Sequence, residues 1–402
     1  MNRCFFFMDN LSTTFVQNEI IKIAAIFKEV IIITEDAQRY DFHENVTRYI
    51  LPNVSKKNKI TVLLKSFWTI HSILISDLFS KGTSFSYLKQ YFIRQSYLIK
   101  YLSLSRRMKS VYNFGKNDVL YAFFTYNNAV LPVLLARKFN CKFITCTHGR
   151  DLYEELEPVT RKLAFRDYIF SNASAILSVS KKGKEYLQDI FPKYNGKMLT
   201  YYLGTKKLDN QHNLQGENDK LIIVSCANIK TSNIKRIELI PPILIELSKH
   251  TDRNIEWVHF GNYDFQLNKL LEIELEKKAL KENEQITITF QGSTENTAIL
   301  SYYAANPVSL FLSVSSSEGL PFSMMEASSY GIPIVCTDVG GCNEITKKDL
   351  LLPASFSEND FINVYNRFIQ NENKYRVEAI NLWKKEFSFE ISSENLKQIL
   401  LR

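Results

Sequence analysis

Short apolar runs separated by segments of helical period organise the chain. In its first half Cys4–Met8, Val30–Thr34, Val119–Phe123, Lys142–Thr147, Ala175–Val179 and Met198–Tyr202 are nearly continuous in apolar residues, as strands buried on both faces are. Val16–Phe27, Asn128–Phe139 and Lys182–Ile190 lie between them with helical spacing. The pattern restarts at Lys220, with strands expected at Leu221–Ser225, Ile255–Phe260, Ile286–Gln291, Ser309–Leu312 and Pro333–Thr337. Helices are expected at Ile237–Leu247, Leu267–Glu276, Glu295–Ala305 and Phe322–Tyr330. Strands that alternate with helices are the signature of βαβ units and parallel sheets.

The expected fold class is therefore α/β, with two doubly wound Rossmann-like domains facing across a cleft. Residues 1–205 make the N-terminal domain and 206–387 the C-terminal domain, divided by the polar stretch Lys206–Asp219. From Glu358 the apolar period is helical with no strand between, so a helical tail is expected, its last helix (about 388–402) packing back on the first domain. No period of 20–50 residues recurs, which excludes a solenoid.

Composition narrows the class. A chain of 402 residues with 45% hydrophobic and 23% charged content is globular and buries enough surface to need no disulfides. The six cysteines contain no C-x-x-C pair and read as buried thiols. The segment from Met1 to Asp9 lacks the features of a signal peptide, and the most membrane-like stretch, Ile60–Phe79, is interrupted by Lys65, His71 and Asp77. A cytoplasmic protein without a spanning helix is expected.

Charge is divided unevenly. Residues 1–200 carry 29 Lys and Arg against 16 Asp and Glu, whereas the remaining residues carry 21 against 26. Within residues 51–110, eleven basic side chains, among them Lys56, Lys57, Lys59, Arg106 and Arg107, face the single acid Asp77. Aromatic residues including Phe67, Trp68, Tyr91 and Tyr101 interleave with them. One reading is a pair of helices packed on the first sheet with solvated basic faces. The other is an interfacial surface for an anionic membrane, on which the protein would sit peripherally at the inner face of the cytoplasmic membrane. No nucleic-acid-binding module accompanies the charge, so nucleic acid is not expected as a partner.

The densest chemistry lies in Ser315–Ala327, which reads as strand end, glycine turn and helix start. Gly319 permits close backbone approach or a positive φ. The N–H groups that open the following helix make an anion site. Glu318 and Glu326 carry carboxylates suited to vicinal hydroxyls, a combination that fits a nucleoside diphosphate sugar. A solvated Glu and a helical Glu beside a core strand is the plainer alternative.

These residues resemble the retaining family-4 glycosyltransferases of GT-B fold, whose E-x7-E signature corresponds to Glu318-Gly319-Leu320-Pro321-Phe322 through Glu326-Ala327. The resemblance continues through Gly331-Ile332-Pro333 and Thr337-Asp338-Val339-Gly340-Gly341-Cys342-Asn343-Glu344, about thirty positions in all. It implies that Glu326 binds the donor ribose, that Glu318 binds a hydroxyl of the transferred sugar, and that the amides of Gly319, Leu320, Pro321 and Phe322 line the donor. Proline offers no N–H there, only its position in the turn. Gly340 and Gly341 serve either the donor or a tight turn.

Four further matches carry roles by the same resemblance. After the first strand of the second domain, Val224–Asn228 and Lys235-Arg236 take the place of a basic pair that neutralises the diphosphate. Asn228 stands where an arginine is usual, with Lys230 or Arg236 as substitutes, so donor contacts are assigned to Asn228 and Arg236 and leaving-group stabilisation to Lys235. Thr145–Asp151 is similar to the family's T-x-H-G-x-D element, which puts His148 near the donor sugar and Asp151 on the acceptor side or in loop support. Ser178–Lys181 suggests Ser180 and Lys181 as acceptor contacts. Asn10–Ile20 resembles the opening of exopolysaccharide transferases, with Ser12 and Thr13 as acceptor contacts or helix caps.

The family reading makes the chain a glycosyltransferase of capsule, lipopolysaccharide or other surface polysaccharide assembly. Its substrates would be a nucleotide sugar and an oligosaccharide or polyprenyl-diphosphate-linked acceptor. No D-x-D occurs in the sequence, so no metal and no other cofactor is expected. A nucleotide-sugar epimerase of the same fold and a non-catalytic scaffold subunit are the alternatives.

Overall fold

The computed structural model describes residues 3–402 apart from 56–60, 63, 80–86, 155–162, 209–219, 229–231 and 263–267, and without the side chains of 75–79, 87–92 and 232–233. Lys56, Lys57, Lys59 and Lys230, and most of the polar stretch that ends at Asp219, therefore lie outside the described residues. The chain divides into two compact units, residues 1–201 with 393–402 and residues 202–392.

The first unit is built on a seven-stranded parallel sheet of order β3-β2-β1-β4-β5-β6-β7. Its strands are β1 (Arg3–Phe7), β2 (Glu29–Thr34), β3 (Val46–Ile50), β4 (Val119–Ala122), β5 (Lys142–Thr147), β6 (Ala175–Ser178) and β7 (Met198–Thr200). Cys4, Phe5 and Phe6 of the interior strand β1 are fully buried, as residues covered by helices on both faces must be. β3 is an edge strand that sequence reading misses. Its residues are half-buried or exposed, so no apolar run marks it.

A buried polar cluster braces this unit. Lys22 and Glu19, both on the helix Thr14–Ile26, lie 3.1 Å apart without exposure. Tyr121 and Tyr201 donate to the Glu19 carboxylate at 2.9 and 2.8 Å. A buried charge pair holds only when its remaining lone pairs are satisfied, which the two hydroxyls accomplish here. The last helix, Phe389–Leu401, ends in the same unit, where the Lys142 ammonium donates to the carbonyls of Ile399 and Leu400, each at 3.0 Å.

The second unit holds a six-stranded parallel sheet of order β10-β9-β8-β11-β12-β13. Its strands are β8 (Lys220–Cys226), β9 (Asn254–Phe260), β10 (Ile286–Gly292), β11 (Leu310–Ser313), β12 (Ile334–Thr337) and β13 (Leu351–Leu352). The two-residue β13 is too short to leave a pattern in sequence. One core face packs Met324, Met325 and Ile334 against Tyr303 and Phe311, and the other packs Trp257 and Leu312 against Leu244 and Phe361.

The chain passes between units at Tyr201 and Tyr202, ahead of the polar stretch expected to mark the boundary. The reason is a tight knot inside the second unit. Thr205 N–H donates to Phe387 O at 2.8 Å, Phe389 N–H to Thr205 O at 3.0 Å, and Ser392 Oγ to the carbonyls of Tyr202 and Leu203, each at 2.7 Å. Gly204 has φ +68°, and a Cβ there would lie 2.5 Å from Ser392 Cβ and 2.7 Å from Ser388 O. Gly204→Ala is therefore expected to destabilise the protein by about 2 kcal/mol or more, through left-handed strain and overpacking together. Chemical denaturation of the variant reads this directly, and an unchanged midpoint would contradict it.

Candidate functional site

In the second sheet the strand order reverses between β8 and β11, and ligands of open α/β sheets gather at the carboxyl ends of strands at such a point. The two strands pair only at Leu310–Ile223 and Phe311–Val224. Beyond that register they part around a depression lined by Cys226, Lys235, Ser315, Glu318 and Ser323. Glu318 comes from the loop after β11, Lys235 from the short helix Ser232–Lys235 after β8, and Glu326 from the helix Phe322–Ser329.

Lys235 Nζ lies 2.5 Å from Glu318 Oε1. Burial works against the ammonium, but the charge and hydrogen bond of Glu318 outweigh it and hold the lysine above its ordinary pKa. Lys235 is a cation with one counter-carboxylate, ready to be shared with an incoming anion. Its position is fixed from both sides. Ser316 N–H donates to Ile234 O at 2.7 Å. The Arg236 guanidinium donates to Val314 O at 2.7 Å, Ser315 O at 3.0 Å and Ala354 O at 3.1 Å.

Arg236 itself has φ +47°, a left-handed conformation that costs a non-glycine residue energy and is retained where surrounding contacts over-determine it. Its guanidinium binds three strand-end carbonyls and so positions the turn that carries Lys235. Asn228 stands exposed just past the end of β8.

Glu326 is 5% exposed, and burial pushes its carboxyl up to about 7, opposed by a hydrogen bond from Asn296. Asn296 Nδ2 donates to Glu326 Oε1 at 2.6 Å, leaving the other oxygen for a ligand hydroxyl. Asn296 opens the helix Asn296–Ala305. Sequence reading misses it because nothing local ties it to a motif thirty positions later.

Gly319 does not take a positive φ, and its carbonyl accepts Gly341 N–H at 2.9 Å. This bond joins the E-x7-E loop to the Gly340–Gly341 loop, where Gly340 does take a positive φ of 49°. Pro321 directly precedes the helix Phe322–Ser329, whose N-terminal end carries the positive end of the helix dipole. Leu320 lies in the same approach. Glu344 accepts from the Tyr202 hydroxyl at 2.7 Å, a structural use of the second motif's acid.

The first unit places His148 just past β5. Its Nε2 donates to Phe123 O at 2.7 Å, since a carbonyl can only accept, which leaves Nδ1 as the acceptor face. Packed against Phe123 and Phe124, with ring centroids at 4.6 and 4.3 Å, the imidazole is held below its ordinary pKa by burial and is neutral.

Asp151 is fully buried and gives both oxygens to amides, Oδ1 to His148 N–H at 2.7 Å and Oδ2 to Thr125 N–H at 2.8 Å. It shapes the His148 loop and offers no surface to an acceptor. Ser180 is likewise buried as the cap of the helix Lys181–Ile190, accepting Gly183 N–H at 3.0 Å, while Lys181 is exposed.

Ser12 is exposed and donates to Asn10 Oδ1 at 2.7 Å. Thr13 takes the cap position by its backbone alone; its Oγ1 is buried without a hydrogen-bond partner. The structure thus brings Lys235, Glu318 and the start of the helix carrying Glu326 together in the second unit, and His148 with Asp151 in the first.

Residues 207–383 match the family model described as glycosyl transferases group 1. The match lies within the second unit. Over 129 residues the chain is 33% identical to the O-antigen biosynthesis glycosyltransferase WbnH of Escherichia coli, covering 32% of this chain and 36% of that protein. It thus matches about a third of the length of this curated relative.

Among solved structures, a sucrose-phosphate synthase from Thermosynechococcus elongatus superposes with a TM-score of 0.69 at 14% identity, covering 99% of this chain and 98% of that one. The lipopolysaccharide outer core galactosyltransferase WaaB gives 0.68 at 14% identity, covering 100% and 99%. Anabaena HepE, solved with UDP and glucose, gives 0.63 at 11% identity, covering 100% and 99%. The likeness is one of fold, and the fold is GT-B.

The raised pKa of Glu326 has a definite sign for stability. Its folded value of about 7 lies above the ordinary carboxylate value, so its contribution is present at low pH and is lost as pH rises through about 7. Glu326→Gln should remove that dependence. Relative to wild type, the variant is expected to gain about 2–3 kcal/mol between pH 5 and pH 8. Urea titrations at both pH values measure the difference, and a gain of zero would place the carboxyl in a wetter setting than described.

Proposed function

We propose that the protein is a retaining glycosyltransferase that moves a sugar from a nucleoside diphosphate sugar to a cell-surface polysaccharide or lipid-linked oligosaccharide acceptor. The observation that carries this reading is the Lys235–Glu318 pair at the β8–β11 switch point, beside the opening of the helix that buries Glu326. The O-antigen relative and the UDP-bound neighbour of the same fold support it.

Glu326 accepts from the ribose hydroxyls with the oxygen that Asn296 leaves open. Glu318 accepts from a hydroxyl of the transferred sugar. Lys235 and the amides at the helix start face the diphosphate. As the anomeric carbon–oxygen bond breaks, negative charge builds on the leaving diphosphate, and preorganised donors there lower the barrier without reorganising. Lys235 supplies the countercharge at that position, so the reaction needs no divalent metal.

Configuration is retained by same-face substitution. The acceptor oxygen bonds to the anomeric carbon on the side from which the diphosphate departs, and the acceptor proton passes to the diphosphate oxygen. His148, neutral and with Nδ1 open, accepts from a sugar hydroxyl, and the first unit takes the acceptor. The site of action is the cytoplasmic side of the membrane, where the acceptor lipid presents its headgroup.

Calorimetry against a panel of nucleotide sugars, followed by product analysis with the bound donor, tests the reading. One donor is expected to bind, and the product should keep the anomeric configuration of the donor. Glu326→Ala should weaken donor binding about tenfold or more, as loss of hydrogen bonds to a charged group does. Lys235→Ala should change affinity little and lower turnover about a hundredfold. Activity should persist in a chelator. Failure of every nucleotide sugar to bind, or unchanged kinetics in both variants, overturns the assignment; an inverted product overturns retention.

A further inference from the structure

The helices Phe67–Phe79 and Tyr87–Val111 pack on each other, and the second packs on the helix Val130–Phe139. Ile70, Ile73, Leu74, Leu98, Leu104 and Met108 fill the buried side of this layer. Its outer side is different. Leu64, Phe67 and Trp68 are 75%, 49% and 83% exposed, and the Phe67 and Trp68 rings meet edge to face at 5.7 Å. Single exposed apolar residues are ordinary, but a cluster that includes a nearly bare indole marks a contact surface.

A guanidinium reaches the edge of this cluster. Arg106 Nη2 donates to Ser66 Oγ at 2.8 Å, which holds the guanidinium one residue from Phe67. Arg106 is also close to Lys109 and Lys138: burial first, and then these two neighbouring charges, keep the Lys138 ammonium below its ordinary pKa. Exposed Lys65 adjoins Leu64 and Phe67. The sole acid of residues 51–110 is Asp77, and the exposed pair Lys100–Glu35 accounts for one further cation. Like charges gathered at this density, next to bare apolar side chains, complement a surface that is anionic outside and apolar beneath.

We propose that Leu64, Phe67 and Trp68 insert into the headgroup region of an anionic phospholipid leaflet while Arg106, Lys109 and Lys138 meet its phosphates. Indole and phenyl rings are favoured at that depth, and each cation near the leaflet contributes about 1 kcal/mol. No helix among the described residues is long and apolar enough to cross a membrane, so the contact is with one leaflet. Nucleic acid would engage the cations and leave Leu64 and Trp68 idle. The inference stands on the first unit alone and is independent of the donor assignment.

The chain carries its own reporter. Of its three tryptophans, Trp257 and Trp383 are 0% and 8% exposed, so a change of emission on binding belongs to Trp68. With vesicles of phosphatidylethanolamine containing one-third phosphatidylglycerol, the full chain is expected to co-sediment and its emission to shift to the blue. Phosphatidylcholine vesicles should produce neither change. Trp68→Phe should abolish the shift, Leu64→Ser with Trp68→Ser should weaken co-sedimentation, and Lys109→Gln with Lys138→Gln should weaken it about thirtyfold.

Absence of the shift, its survival in Trp68→Phe, or equal binding by the Leu64→Ser, Trp68→Ser variant overturns the proposal. So does binding of a DNA duplex as tight as binding of the vesicles. Urea denaturation midpoints of the same variants report that the fold is intact and keep this result separate from the fate of the donor assignment.

Discussion

The chemistry of the second unit depends on one constraint: β8 and β11 pair over two residues and then part. Parallel strands buried on both faces must send their chain ends out at the same edge, and where the order reverses the loops leave in opposite directions. The gap has to be lined by whatever follows the two strands. Here that is Lys235 from one side, Glu318 from the other and the start of the helix bearing Glu326. Arg236 keeps the arrangement from relaxing, because its guanidinium holds three carbonyls that come from the β11 end and the β13 side. A lysine on a free loop would pay conformational entropy each time it met an anion; this one is held in place.

The two carboxylates of the E-x7-E motif illustrate how environment divides one chemistry into two tasks. Glu318 is balanced by a lysine at hydrogen-bond distance. Glu326 has only an amide for a partner, and burial raises it to about 7. A hydroxyl that donates to Glu326 would favour its ionised form. In the first unit the same logic appears in reverse. Asp151 is buried but takes two amide hydrogen bonds, and its reward is a rigid loop that aims His148.

Much of the fold was legible in the sequence because parallel strands covered on both faces are written as continuous apolar runs, and all eleven expected runs lie on strands. β3 and β13 were not legible, one because it is a half-exposed edge and the other because two residues carry no period. At the site, the motif spacing pointed to Glu318, Glu326, Lys235 and His148. It could not separate Arg236, which binds backbone, from Lys235, which does not, since both are basic residues on the same turn. Asn296 left no signal, because its importance lies in a contact across thirty residues. Glu19 and Ser180 matched motifs through positions that the structure uses for a buried ion pair and a helix cap.

By itself, then, the sequence determined the α/β class and the order of most strands and helices along the chain, which follow from local apolar periodicity, and it located the E-x7-E motif by resemblance. Tertiary structure decided the rest. It set the boundary at Tyr201 through hydrogen bonds between residues nearly two hundred positions apart, and it raised the Glu326 pKa through burial that no local composition reports. It also left Trp68 bare beside Arg106, a neighbour forty positions away by way of Ser66. Charge, burial and hydrogen-bond partnership are properties of what surrounds a residue, and only the folded chain supplies surroundings.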